Sequence, residues 1–118
     1  MLWDIYPPMA LETGILVVFH LPEGATIAQH RTFRRRIYGE DTSSWGGRYH
    51  YHRKGFLDSI PHHLLYWGIV IVKEIDAPKL IRLIKKNGGL IEARTVQLNF
   101  RDKLALKKQA SSSDEIKS

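Results

Sequence analysis

The sequence predicts an α+β protein of the ferredoxin-like kind: a four-stranded antiparallel sheet in βαββαβ order with two helices on one face. Three observations carry this expectation. Two apolar runs rich in β-branched residues, GILVVFHL at 14–21 and LLYWGIVIVK at 64–73, have the make-up of central strands. Two helical patterns with start and stop signals lie between strand-like segments, at 26–39 and 76–88. The resulting order is strand, helix, strand, strand, helix, strand, and right-handed crossovers then place both helices on the same side.

The first strand, Gly14 to Leu21, is closed by Pro22 and Gly24. Thr26 supplies an oxygen that can cap a helix running to Tyr38, and Gly39 stops it. Ile27, His30, Phe33 and Ile37 recur at spacings of three and four, giving an inner stripe, while Arg31, Arg34, Arg35 and Tyr38 share another face. A polar loop, GEDTSSWGG, leads into GRYHYHRKG at 47–55, whose alternation suits the second strand. LDSIPHH at 57–63 reads as a turn before the third strand at 64–73. Asp76 then caps a helix with Pro78 in its first turn, where a missing N–H does no harm, and Asn87 and Gly88 end it. Ala77, Leu80, Ile81 and Ile84 form its buried stripe. The fourth strand, Leu90 to Phe100, changes the phase of its alternation near Arg94 and Thr95, which suggests a bulge.

This reading divides the chain into an N-terminal arm at 1–13, a domain at 14–100 and a polar, partly disordered extension at 101–118 ending in QASSSDEIKS. A chain of 118 residues with 43% hydrophobic and 25% charged residues has the composition of one globular domain. It has no cysteine, which excludes disulfides and thiolate chemistry. No run approaches the roughly 20 apolar residues of a spanning helix, and the first residues, with Asp4 and two prolines, lack the pattern of a signal peptide. A cytoplasmic protein without membrane association is expected.

The net charge is +6, and it is concentrated. Between Thr26 and Lys54 lie seven basic residues (Arg31, Arg34, Arg35, Arg36, Arg48, Arg53, Lys54) against Glu40 and Asp41, a local +5. Such a field favours polyanions through counterion release, and nucleic acid is the commonest of these partners. Arg31, Arg34, Arg35, Arg48, Arg53 and Lys54 are the candidate contacts, with DNA favoured over RNA. The forked guanidinium of Arg suits bidentate phosphate binding.

On a strand, Arg48, His50, His52 and Lys54 project from one face, and Tyr49, Tyr51 and Arg53 from the other. If the aromatic residues face the helices, the two histidines lie on the open side of the sheet. His50-Tyr51-His52 has the spacing of the histidine pair of HUH nucleases, in which two imidazoles hold a divalent ion, manganese or magnesium, and a tyrosine attacks the phosphate. Tyr38, at the end of the first helix, is the helical candidate for that nucleophile. A third ligand would come from His20, His62, His63 or an acidic residue. Trp45 and Trp67 read as packing residues.

ILVVFHLPEGATIAQHRTFRRRIYG together with GGRYHYHRKG resembles the opening of the small CRISPR adaptation family with a ferredoxin-like fold. It is similar also to the C-terminal domain of PaaX-type repressors and to VapD-type toxins. The match covers residues 14–55. The resemblance implies a dimeric, DNA-contacting scaffold. In the nuclease members an aspartate ends the first strand and helps hold a metal ion, whereas here His20 stands in that place. Histidine is a poor ligand for magnesium, which prefers oxygen, so hydrolysis by that route is not implied. The leading expectation is a homodimeric nucleic-acid-binding scaffold or regulator. The alternatives are an HUH-type single-strand endonuclease using His50 and His52, and a protein-assembly module that works through the open sheet face.

Overall fold

The computed structural model describes residues 12–44 and 49–107. Its elements are β1 (Thr13–His20), α1 (Ile27–Tyr38), β2 (Gly39–Ser44), β3 (Tyr49–Lys54), a 3-10 turn (Phe56–Ser59), β4 (His62–Tyr66), β5 (Ile69–Val72), α2 (Ala77–Lys86), β6 (Leu90–Gln97) and α3 (Phe100–Lys107). β4, β5, β1 and β6 form, in that order, a four-stranded sheet in which every neighbouring pair is antiparallel. β2 and β3 form a separate two-stranded sheet. The mixed architecture with a four-stranded antiparallel sheet is as expected and is compatible with a ferredoxin-like fold. The second strand of the sheet is a different segment from the one anticipated.

Two departures share one cause. GRYHYHRKG was expected to enter the main sheet; instead its strand pairs with Gly39–Ser44, part of the anticipated loop, with His52 opposite Asp41 and Arg53 opposite Glu40. Residues 50–54 are exposed on both sides of the strand, so insertion into the sheet would bury polar groups without apolar gain. Tyr51, expected on the buried side, is 57% exposed. The vacant position is filled because the run 64–73 is two strands rather than one. It folds back at Trp67-Gly68, where Gly68 has φ +86° and its backbone lies so close to Phe19 that an added Cβ would sit 2.7 Å from the Phe19 carbonyl oxygen. His62 and His63, read as part of a turn, open β4.

One sheet face carries Val17 and Phe19 of β1 with Val70 and Val72 of β5. Onto it pack Phe33 and Ile37 of α1 and Ala77, Leu80 and Ile84 of α2, all buried in one cluster. α1 starts as expected at Thr26, whose hydroxyl accepts from Gln29 N while the Gln29 side chain accepts from Thr26 N, a reciprocal capping box. Of the expected inner stripe, Phe33 and Ile37 are buried, whereas Ile27 is 87% exposed and His30 is exposed. The first turn of α1 overhangs the sheet. α2 keeps its expected bounds and stripe, with Ile81 partly buried, although Asp76 makes no side-chain cap.

The opposite face, expected to be bare, is partly covered by α3. Asn99 and Asp102 form a second reciprocal capping box, Asp102 N donating to Asn99 Oδ1 (2.8 Å) and Asn99 N to Asp102 Oδ2 (3.0 Å). The remaining oxygen of the buried Asp102 accepts from His63 Nδ1 on β4 at 2.7 Å, and Leu106 is buried on the same helix. His63 pairs with Ile71, which pairs with Leu16, placing this contact on the face turned away from Val17. β6 runs in unbroken register with β1, without the expected bulge. Its alternation changes phase because the covered face changes: Ile91 and Ala93 oppose Phe19 and Val17 beneath the helices, whereas Val96 opposes Gly14 and is followed by Leu98, against which Gly14 packs on the α3 side. Residues 100–107 are thus an ordered helix within the segment expected to be a strand end and a polar extension; residues 108–118 lie outside the described residues.

Asp102→Ala removes the cap and leaves His63 without its carboxylate. We expect a loss of about 1–3 kcal/mol in urea unfolding and early exchange of the α3 amides. Unchanged exchange would show that α3 is held by apolar contacts alone.

Candidate nucleic-acid interface

α1 presents its basic face where the β4–β5 turn meets the start of the β2–β3 hairpin. A cleft of about 440 Å³ opens there, lined by Arg31, Arg34, Arg35 and Tyr38 of α1, by Glu40, and by Trp67 at the turn. The helix spacing places the three arginines and Tyr38 together as expected. Among the described residues, their ion pairing is limited to a long Arg31 Nε–Glu40 contact of 4.0 Å, with the Arg31 side chain 75% exposed. Such a pair adds little to stability and leaves the guanidinium accessible.

Tyr38 fixes the turn. Gly68 N donates to its hydroxyl at 2.6 Å, Phe19 N donates to Gly68 O at 2.9 Å, and the Tyr38 and Trp67 rings meet edge-on, 4.6 Å between centroids at 88°. Burial pushes the Tyr38 hydroxyl above its ordinary pKa, partly offset by the Gly68 N–H and the Arg34 charge. This environment makes Tyr38 a positioned hydrogen-bond acceptor and does not activate it as a nucleophile, which would need a lowered pKa or an adjacent base.

The remaining expected contacts lie on the hairpin. Arg53 sits directly across from Glu40, and Lys54 across from Gly39, so both stand at the hairpin base where α1 ends; both are exposed. Arg48 and Trp45 lie outside the described residues. The cations of α1 and β3, 18 to 23 positions apart in sequence, therefore converge on one end of the molecule.

The histidine pair is placed differently from the metal expectation. His52 gives both ring nitrogens to carboxylates, Nδ1 to Asp41 of β2 and Nε2 to Asp58 of the 3-10 turn, each at 2.7 Å. Asp58 also accepts from Gly55 N at 2.9 Å. Donation from both nitrogens describes an imidazolium, with no lone pair for a metal. His50 is exposed on the same strand. His20 ends β1, with its Nδ1 donating to Leu21 O at 2.9 Å. Among the described residues no group of three or more histidine and acidic side chains is placed to hold a metal ion.

The Asp58 and Asp41 hydrogen bonds raise the His52 pKa above its ordinary 6.5. A folded-state value above the unfolded one gives stabilisation that is complete below about pH 6.5 and is lost as pH rises through the folded-state value. The hairpin base is thus expected to hold more firmly on the acid side of neutrality. Comparing denaturation midpoints between about pH 6 and pH 8.5 should show a decline that His52→Gln flattens; an equal slope in both proteins would rule out this role.

Trp67, read as a packing residue, does pack against Tyr38, but it also lines the cleft and is 70% exposed, a placement that sequence reasoning missed. The signal was present in Tyr66-Trp67-Gly68, a glycine inside an apolar run, which marks a reversal and puts its neighbours at a tip. No helix among the described residues is long and apolar enough to cross a membrane. Comparison with protein families, with curated proteins and with solved structures gives no match, so the site is read from its own chemistry.

Proposed function

We propose that this protein binds nucleic acid, in the role of a small scaffold or regulator, through a basic surface made by α1 and the base of the β2–β3 hairpin. The observation that carries this reading is the convergence of Arg31, Arg34 and Arg35 on one cleft with Arg53 and Lys54 beside it; the acidic groups near them are Glu40 and, both engaged with His52, Asp41 and Asp58. Each exposed cation that meets a phosphate releases a counterion, so binding should weaken steeply as salt rises. The compatibility of the sheet with a ferredoxin-like fold agrees with the resemblance to the CRISPR adaptation, PaaX and VapD families, and that kinship is part of the proposal. So is the homodimer, for which the uncovered part of the second sheet face, with Leu65 and Leu90 about half exposed, offers apolar area.

Fluorescence anisotropy with labelled oligonucleotides across a salt series tests the reading. We expect log affinity to fall linearly with log salt concentration, at a slope of roughly 0.7 to 0.9 for every phosphate contacted. Absence of binding at low salt, or a flat slope, would refute it.

A further inference from the structure

The cleft holds an aromatic arrangement that phosphate binding does not require. Trp67, which lines the cleft, is 70% exposed at the tip of the β4–β5 turn. It is not needed there to form a two-residue turn, whose geometry is met by Gly68. A large aromatic surface left in water beside a row of cations suits a partner that offers flat π-faces and negative charge together. The indole is also held in place: Tyr38 meets it at a right angle, and the turn behind it is tied to α1 by the Gly68–Tyr38 hydrogen bond and to β1 by the Phe19–Gly68 bond. A platform fixed before binding loses little entropy when a ring lies on it.

Resting on the nucleic-acid reading, we propose that this cleft takes single-stranded nucleic acid, with one unpaired base stacked on Trp67 and the neighbouring phosphates held by Arg31 and Arg34. Arg31 and Arg34 are three residues apart, one above the other on the exposed helix face, and Arg34 lies one turn before Tyr38. Guanidinium groups therefore run along the helix toward the aromatic step, as a strand would need if its backbone followed α1 and a base turned in at the tip. In a duplex the π-faces are already stacked on one another, and extruding a base costs a few kcal/mol. A cleft of about 440 Å³ lies within the size range of small-ligand sites, room for one unpaired base with its sugar. Base–aromatic stacking tolerates any sequence because every base has a π-face.

The test uses the Trp3→Phe/Trp45→Phe protein, in which Trp67 is the only tryptophan. Oligothymidylate and oligouridylate are expected to quench its fluorescence on binding, whereas a duplex of mixed sequence leaves it unchanged. In the otherwise native chain, Trp67→Ala should lower single-strand affinity roughly 5- to 150-fold, Trp67→Phe should restore most of it, and neither should alter duplex affinity. Circular dichroism and thermal melting of each variant confirm that the fold is intact. Salt-dependent binding with no quenching, or an equal loss for both strand states, overturns the stacking proposal and leaves the basic surface standing. Absence of salt-dependent binding to any of the probes overturns both.

Discussion

Arg31→Glu/Arg34→Glu is expected to lower nucleic-acid affinity on the order of 100-fold at low salt and to reduce the salt slope by roughly 1.4 to 1.8, the share of two phosphate contacts. Both side chains project from the exposed face of α1, and the 4.0 Å Arg31–Glu40 pair is too long and too exposed to matter to folding. The fold should therefore survive the change. Reversing the sign does more than remove attraction, because two carboxylates beside Glu40 and Asp41 turn a cationic cleft into an anionic one. The milder Arg31→Gln/Arg34→Gln should lie between this variant and the native protein, with a similar slope change. Anisotropy titrations at several salt concentrations measure both quantities, and native affinity in the charge-reversed protein would remove α1 from the interface.

Ile37→Ala should have the largest effect on stability with none on binding. Ile37 is completely buried on the inner side of the helix whose outer side carries the arginines, in the cluster with Phe33, Val70 and Leu80. Truncation removes apolar contact and leaves a cavity at the centre of the helix–sheet interface, at a cost of about 2–5 kcal/mol. For a domain of this size each kcal/mol is worth roughly 4–8 °C, so the melting temperature should fall by about 10 °C or more. Below that temperature the arginines remain where they were, and affinity should match the native protein. Calorimetry and anisotropy on one preparation separate the two effects. A melting temperature within about 2 °C of native would show that the helix–sheet layer is not the main source of stability.

The sequence was legible where local chemistry and burial agree. Thr26 and Gly39 bound α1, Pro78 and Asn87 mark the ends of α2 although Asp76 does not cap it, and the Leu80–Ile84 spacing marks the buried side of α2, because helix-end residues and 3.6-residue periodicity are written within a dozen residues. The arginines of the site were legible for the same reason: α1 is a helix, and a helix places residues three and four apart together. Strand pairing was not legible. Polar alternation at 49–54 has the period of a half-buried strand, but both of its sides are hydrophilic, and its partner lies in a segment without apolar signal. α3 was hidden because its anchoring joins Asp102 to His63, 39 residues earlier, a contact that only the folded sheet creates. Trp67 packs against Tyr38, but its 70% exposure was not legible, because a tryptophan in an apolar run reads as core until the glycine after it is given its weight.

The hairpin leaves and rejoins the domain at a single point. Gly39 and Gly55 approach so closely that a Cβ on Gly55 would collide with the Gly39 nitrogen, while none of the described residues between them belongs to the main core cluster. A segment tethered in this way can lengthen, shorten or be exchanged without a core side chain moving. The arm beside the cleft is therefore the part of this architecture freest to diverge, and the part through which one scaffold could be refitted for different ligands.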